Sequence, residues 1–176
     1  MTKNVAEAIR ERRSIRRFTG KDLPDGTLSK LLEAACLAPS AGNRQPWFFY
    51  VVKAQNIREE LAKAAFGQSF LKEAPVDIVV CVEPERSATR YGQRGEKLYC
   101  FQDTAAAVQN ILLMAEGLGL NTCWVGAFDE KAVSQILEIP SGRRPVAIIP
   151  VGYSSLAEPP KPPSRRALEE VVKIVD

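Results

Sequence analysis

The stretch from about Leu98 to Leu118 limits this chain's fold more than any other. Ala105, Val108, Ile111, Leu112, Ala115 and Leu118 recur there at helical spacing, with several small residues on the adjoining faces. A helix that is apolar over so much of its circumference belongs in a core, not on a surface. Three short apolar runs read as strands: Trp47 to Lys53 (WFFYVVK), Val76 to Val82 (VDIVVCV) and Val146 to Val151 (VAIIPV). Val76 to Val82 and Val146 to Val151, short and rich in β-branched residues, suit central positions in a sheet.

The remaining elements follow from periodicity and breakers. Helices are expected from about Lys3 to Arg13, from Thr27 to Leu37 between Gly26 and Pro39, and from Asn56 to Phe66. Pro39 to Pro46 is dense in turn formers and should be irregular. Asn121 to Val125 reads as a short strand, and Asp129 as the cap of a helix running to Leu137. Glu83 to Glu96 is polar and charged and contains Gly92 and Gly95, so it reads as a long exposed loop, a candidate lid. Beyond Gly152, Pro159, Pro160, Pro162 and Pro163 exclude helix or internal strand. That tail, residues 154–176, must lie along a surface, and LEEVVKIV at its end offers apolar residues for docking on a partner subunit, so a homodimer is expected.

At 176 residues and 45% hydrophobic content the chain suits one domain, 1–176, with a substantial core. No apolar run approaches the roughly 18 residues of a membrane span, and the amphipathic, charged start does not read as a signal peptide, so a cytoplasmic protein is expected. The net charge of +3 is too small to argue for nucleic acid. Cys36, Cys81, Cys100 and Cys123 lie far apart in apolar surroundings and read as buried thiols. The sequence contains 0 histidines, which removes His-dependent triads, the H-E-x-x-H zinc site and the facial-triad iron site. No metal site is expected, and an enzyme built this way has to rely on a bound cofactor for its chemistry. Neither a G-x-G-x-x-G nor a P-loop is present, so a nicotinamide would be a visiting substrate.

Two constellations stand out. Arg10, Arg12, Arg13, Arg16 and Arg17 crowd RERRSIRRF, and Lys161, Arg165 and Arg166 form a second basic group near the other end. The bland reading is a helix whose last turn carries cations against its negative end. The sharper one is an anion site, since guanidinium groups bind phosphate bidentately and Ser14 adds a hydroxyl donor. The loop PSAGNRQPW brings Ser40, Asn43, Arg44 and Gln45, which could face the polar edge of a heterocycle or simply satisfy their own backbone. Trp47 reads as core, and Glu33 and Glu116 as solvated helix carboxylates.

The segments RRSIRRF (Arg12–Phe18), APSAGNRQPW (Ala38–Trp47), DTAAAVQNILLMAEGLGLNTCWVGAF (Asp103–Phe128), PVAIIPVGY (Pro145–Tyr153) and RRALEEVV (Arg165–Val172) together resemble the nitroreductase family of FMN-dependent oxidoreductases. The resemblance implies an α+β, three-layer α-β-α fold with a central, mostly antiparallel sheet flanked by helices, in an intertwined dimer with FMN at the interface. By position it assigns Arg12, Arg13, Ser14 and Arg16 to the FMN phosphate, ribityl chain and pyrimidine side. It assigns Pro39, Ser40, Asn43 and Gln45 to a loop approaching the flavin, often from the other subunit. Val125, Gly126 and Ala127 match backbone beside the isoalloxazine, and Arg165 a tail residue returning to the phosphate. Ala167 replaces a proline common in relatives. Pro163 stands where some carry a basic residue, a role open to Arg166 or Lys161, and the glutamate some have near Gly126 is missing.

The implied activity is ping-pong hydride transfer from NADH or NADPH to a nitroaromatic, quinone or similar small acceptor, with no side chain acting as catalytic acid or base. Reductive dehalogenation, flavin fragmentation, a non-enzymatic flavin carrier and a basic interaction protein stay open as alternatives.

Overall fold

A computed structural model of the chain describes residues 3–175. Helix α1 (Val5–Glu11) opens with a capping box: the Asn4 side chain accepts from the Glu7 amide, and Glu7 accepts from the Asn4 amide. Then come α2 (Thr27–Cys36), strand β1 (Trp47–Val52), α3 (Gln55–Ala64), α4 (Phe70–Glu73), β2 (Val76–Val82) and α5 (Pro84–Arg94). The chain closes with α6 (Cys100–Gly117), β3 (Asn121–Thr122), α7 (Glu130–Ile136) and β4 (Arg144–Gly152). Asp129 caps α7 by accepting from the Lys131 and Ala132 amides.

The strands form one antiparallel sheet in the order β1-β2-β4-β3. Every residue of β2 is buried, as its unbroken apolar run requires of a central strand. Alternation divides it between two cores. Ile78 and Val80 join Leu31 of α2 and Val108, Ile111 and Ala115 of α6, whereas Val79 and Cys81 face Leu61 of α3, Leu71 of α4 and Val133 of α7. Helices thus cover both faces, giving the three-layer α-β-α, α+β architecture.

Four expectations need correction. Glu83–Glu96 is not a loop: Pro84 starts a helix at the position where its missing N–H costs nothing, and after a break at Gly92 a π-helical turn, Gly95–Tyr99, runs on into α6. No apolar periodicity announced it, because tertiary contacts around buried Ser87 and Gly95 hold it. The strand foreseen over Asn121–Val125 shrinks to β3 and a single bridge between Val125 and Ile148. Cys36 is exposed, since it ends α2 on the face away from Leu31 and Ala35. Glu116 is only 7% exposed and accepts from Lys3 Nζ at 2.5 Å, so this helix carboxylate is paired inside the fold.

One polar group in the sheet has no such partner. Both carboxyl oxygens of Asp77, wholly buried on β2, find no hydrogen-bond partner among the described residues. Burial pushes its pKa well up against the opposing pull of Arg58, whose guanidinium is spent on the carbonyls of Lys53, Lys72 and Ala74.

Candidate active site

Helix α1 stops at Glu11 because Arg12 turns to φ −52° and ψ 127°, and the chain runs on extended. Ser14 bridges in parallel to Thr122, and the Ile15 amide donates to the Thr122 carbonyl at 2.9 Å. Arg12, Arg13 and Arg16 therefore leave the helix, and only Arg10 remains in its last turn. This decides between the two readings of the cluster. Most of its cations sit on a strand-like ribbon, anchored at Ile15 and Phe18 in the core, instead of complementing a helix end.

The tail comes back to that ribbon. Arg12, Arg13, Ser14 and Arg16 line a cleft of about 320 Å³ together with Pro160, Lys161, Pro163 and Arg165. Among the described residues, none of its five cations lies within ion-pair distance of a carboxylate. Arg13 spends part of its guanidinium on the Arg10 and Arg12 carbonyls. Of the two candidates for the missing basic residue, Lys161 faces the cleft, whereas Arg166 turns away to Glu170 at 3.2 Å. Guanidinium, ammonium and hydroxyl donors without acid partners form a donor set suited to a phosphate monoester.

Next to this cleft runs the segment after β3. Val125 exchanges hydrogen bonds with Ile148, at 3.0 and 2.9 Å, which fixes the backbone just before Gly126. Gly126 and Ala127 are exposed, and their amides donate to no group among the described residues. Below it the Cys123 thiol is pushed up by burial, with Arg16, the Ser14 hydroxyl and Arg12 pulling the other way, so the ribbon and this segment are neighbours.

The loop 39–45 is elsewhere. The Ala41 amide donates to both oxygens of Asp103 at 3.2 and 3.1 Å, and the Gln45 amide to Ser40 Oγ at 3.0 Å. Asn43 and Gln45 take φ of 55° and 50°, a left-handed backbone that side chains resist. A clasp from α5 holds the loop. Arg44 donates to the Arg86 carbonyl and to Thr89 Oγ1, while Arg86 donates back to the Arg44 carbonyl. The loop thus packs at the Asp103 end of α6, while Lys3, ahead of α1, bonds at its Glu116 end, where Arg13 and Ile15 of the ribbon share a cleft with Lys3 and Glu116. Thirteen helical residues separate these by about 20 Å. Pro39, Ser40, Asn43 and Gln45 are therefore not brought to Arg12, Ser14 and Arg165 within one chain.

Comparison with known proteins settles the family. The model of the nitroreductase family matches residues 9–70 and 64–153. The chain belongs to the nitroreductase family. A relative from Archaeoglobus fulgidus, named for NADH dehydrogenase and NAD(P)H nitroreductase, is 38% identical over 150 residues, 82% of each chain. An NADH dehydrogenase of Thermus thermophilus is 33% identical over 192 residues, 94% of this chain and 93% of its own. The solved structure of an FMN-dependent nitroreductase from Clostridium difficile R20291 superposes with a TM-score of 0.76 at 29% identity, covering 87% of this chain and 89% of that one. With these relatives the nitroreductase fold and an oxidoreductase enzyme are shown.

Against that family pattern, reading by motif missed Asp103, which fixes the loop, and the α5 clasp through Arg86 and Thr89. Asp103 was available as the first charged residue of the long apolar helix. Nothing in the local sequence pointed to the clasp. Among the described residues no group of three or more His, Cys, Asp and Glu is placed to hold a metal, and no helix is long and apolar enough to cross a membrane.

Proposed function

We propose that this chain uses FMN with NADH or NADPH as electron donor, and that Arg12, Arg13, Ser14, Arg16, Lys161 and Arg165 hold the FMN phosphate and ribityl chain. The observation that carries this reading is the convergence of unpaired cations from both ends of the chain on one cleft. NAD(P)H-dependent flavin chemistry matches the names of relatives, among them an NADPH-flavin oxidoreductase of Vibrio harveyi and an FMN reductase of Bacillus subtilis. FMN, when bound, supplies two-electron chemistry, taking a hydride from the donor and passing it to a nitroaromatic, quinone or similar acceptor in ping-pong order.

The protein's part is orientation and charge. Arg16, close to Cys123 just ahead of the Val125–Ala127 segment, favours the pyrimidine side of the ring in its reduced, negative form. The free amides of Gly126 and Ala127 offer hydrogen bonds to the ring edge. No side chain has to act as an acid or base.

The other half of the site comes from a second subunit. A loop about 20 Å from the cleft along α6 can reach the flavin only in another copy. The tail points to the same assembly. Ala157–Val175 is exposed throughout, and Leu168, Val171, Val172, Ile174 and Val175 are 51–83% exposed, apolar surface that a partner would cover. We therefore read 1–176 as one domain whose residues 154–176 wrap the partner in a homodimer.

The test is an anaerobic titration of purified protein. It should be yellow or become so with FMN, bleach on adding NADH or NADPH, and regain colour when acceptor is added after the nicotinamide has been removed. A chain that stays colourless in excess FMN would falsify the reading.

A further inference from the structure

We propose that Arg90, on the α5 clasp, binds the pyrophosphate of the visiting nicotinamide donor, a second anion site distinct from the FMN cleft. The proposal rests on the reading above, in which loop 39–45 lies over the flavin of the other subunit.

Arg90 is part of that loop's surface, not a remote helix face. Gly42 has φ of 54°, and a Cβ built on it would meet the Tyr91 hydroxyl at 2.5 Å and the Arg90 Cδ and Nε at 3.2 Å. The arginine stem therefore lies directly on the loop backbone, and glycine is needed there for conformation and for space. Its guanidinium is exposed and has no carboxylate within ion-pair distance among the described residues. The Tyr91 ring, 5.6 Å away, is its aromatic neighbour.

Two more guanidinium groups meet on the same loop. Arg44 and Arg86 cross, each donating to the other's carbonyl at 2.7 and 3.1 Å. Two carboxylates touch this region: Asp103 holds the loop through the Ala41 amide, and Glu83 is 3.7 Å from Arg86 and shared with Arg143 at 2.8 Å. Three arginines against these two acids, one of them shared with Arg143, still leave a net positive patch. A solvated helix face would let such chains splay apart, but here backbone bonds hold two of them together. Held cations of this kind suit a ligand carrying adjacent phosphates. The FMN phosphate is already served by the cleft at the far end of α6. Nitroaromatic and quinone acceptors need carry no phosphate, whereas NADH and NADPH carry a pyrophosphate a few bonds from the reacting ring.

The experiment compares wild type, Arg90→Ala and Arg90→Lys as holoenzymes. Anaerobic flavin reduction is followed with NADH and with 1-benzyl-1,4-dihydronicotinamide, which delivers the same hydride but has no phosphate. The efficiency ratio of NADH to the neutral donor should fall about tenfold in Arg90→Ala, the loss of one charge-assisted bond, and recover in part in Arg90→Lys. Calorimetric titration of the oxidised holoenzyme with ADP-ribose, which keeps the pyrophosphate and lacks the reacting ring, should weaken by the same factor. An unchanged ratio and unchanged ADP-ribose affinity in a yellow Arg90→Ala protein would overturn the proposal. A rise in acceptor KM with the donor ratio and the ADP-ribose affinity unchanged would overturn it too, by placing Arg90 on the acceptor's side of the reaction. Wild type that takes up no FMN defeats the functional reading first, and is told apart by its colour.

Discussion

The two cationic regions of this protein are built in opposite ways. In the cleft, residues more than 140 positions apart in sequence meet, and one wall is an exposed tail whose only regular structure among the described residues is the turn Leu168–Glu170. Around loop 39–45 the cations belong to neighbouring elements: Arg44 and Arg86 are tied to each other's backbone, and the Asp103 carboxylate holds the loop itself. The loop also holds Asn43 and Gln45 in left-handed conformations. The first region is a set of cations without a carboxylate partner among the described residues, and the second is a tightly bonded platform that accepts strain to keep its shape. A cofactor that stays bound can order its own site, but a co-substrate that visits for each turnover gains from a platform already in place.

Three variants would break or sharpen this contrast. The largest effect should come from Arg12→Ala combined with Arg16→Ala. Losing two charge-assisted contacts should weaken FMN binding about a hundredfold or more, read as flavin lost on gel filtration, while the melting temperature of the FMN-free protein changes little. Flavin retained in full would break the cleft's side of the comparison.

Gly95→Ala attacks the platform. A Cβ there would meet the Ser87 carbonyl oxygen at 2.4 Å and its carbon at 2.6 Å, both backbone atoms that cannot step aside. Overpacking of this kind should cost about 2–3 kcal/mol in denaturant unfolding and lower the turnover of flavin-loaded protein. FMN affinity should hold within a few fold, and equal damage to both properties would show that the two regions are not independent.

Asp77→Asn lies in the sheet between the regions and should disturb neither readout. Folded Asp77 keeps its proton where the unfolded chain has lost it, so above the ordinary carboxyl range the folded state binds more protons and stability falls as pH rises. Asn carries no such proton. The variant should be more stable than wild type by about 1 kcal/mol at pH 8, with the gain shrinking towards pH 4. A wild-type stability flat over that interval would show the carboxyl is charged and paired.

How much of this was legible in the chain differs from element to element. The span Val76–Val82 was readable to the residue, because a short β-branched run flanked by breakers has one way to be buried. The Asp129 cap was equally plain, since capping is a contact between neighbours in sequence. Helix α5 was not, because PERSATRYGQR has no apolar stripe and is held by residues 42–44, some forty positions earlier. Charge alone misled at Glu116, whose partner Lys3 lies 113 positions away. At the site, the residue types of the cleft could be read from motifs, but whether the arginines ended a helix or left it depended on the bridge from Ser14 to Thr122.

Composition and pattern alone determined the central strands, the core helix and the absence of histidine chemistry, since each depends on residue type and near neighbours, while the layers were implied by the family resemblance. Tertiary structure alone decided which cations face one another, which of Lys161 and Arg166 turns inward, and that the loop and the cleft sit at opposite ends of α6. Those are questions of distance across the fold, and pairing between distant segments follows from packing the whole chain at once.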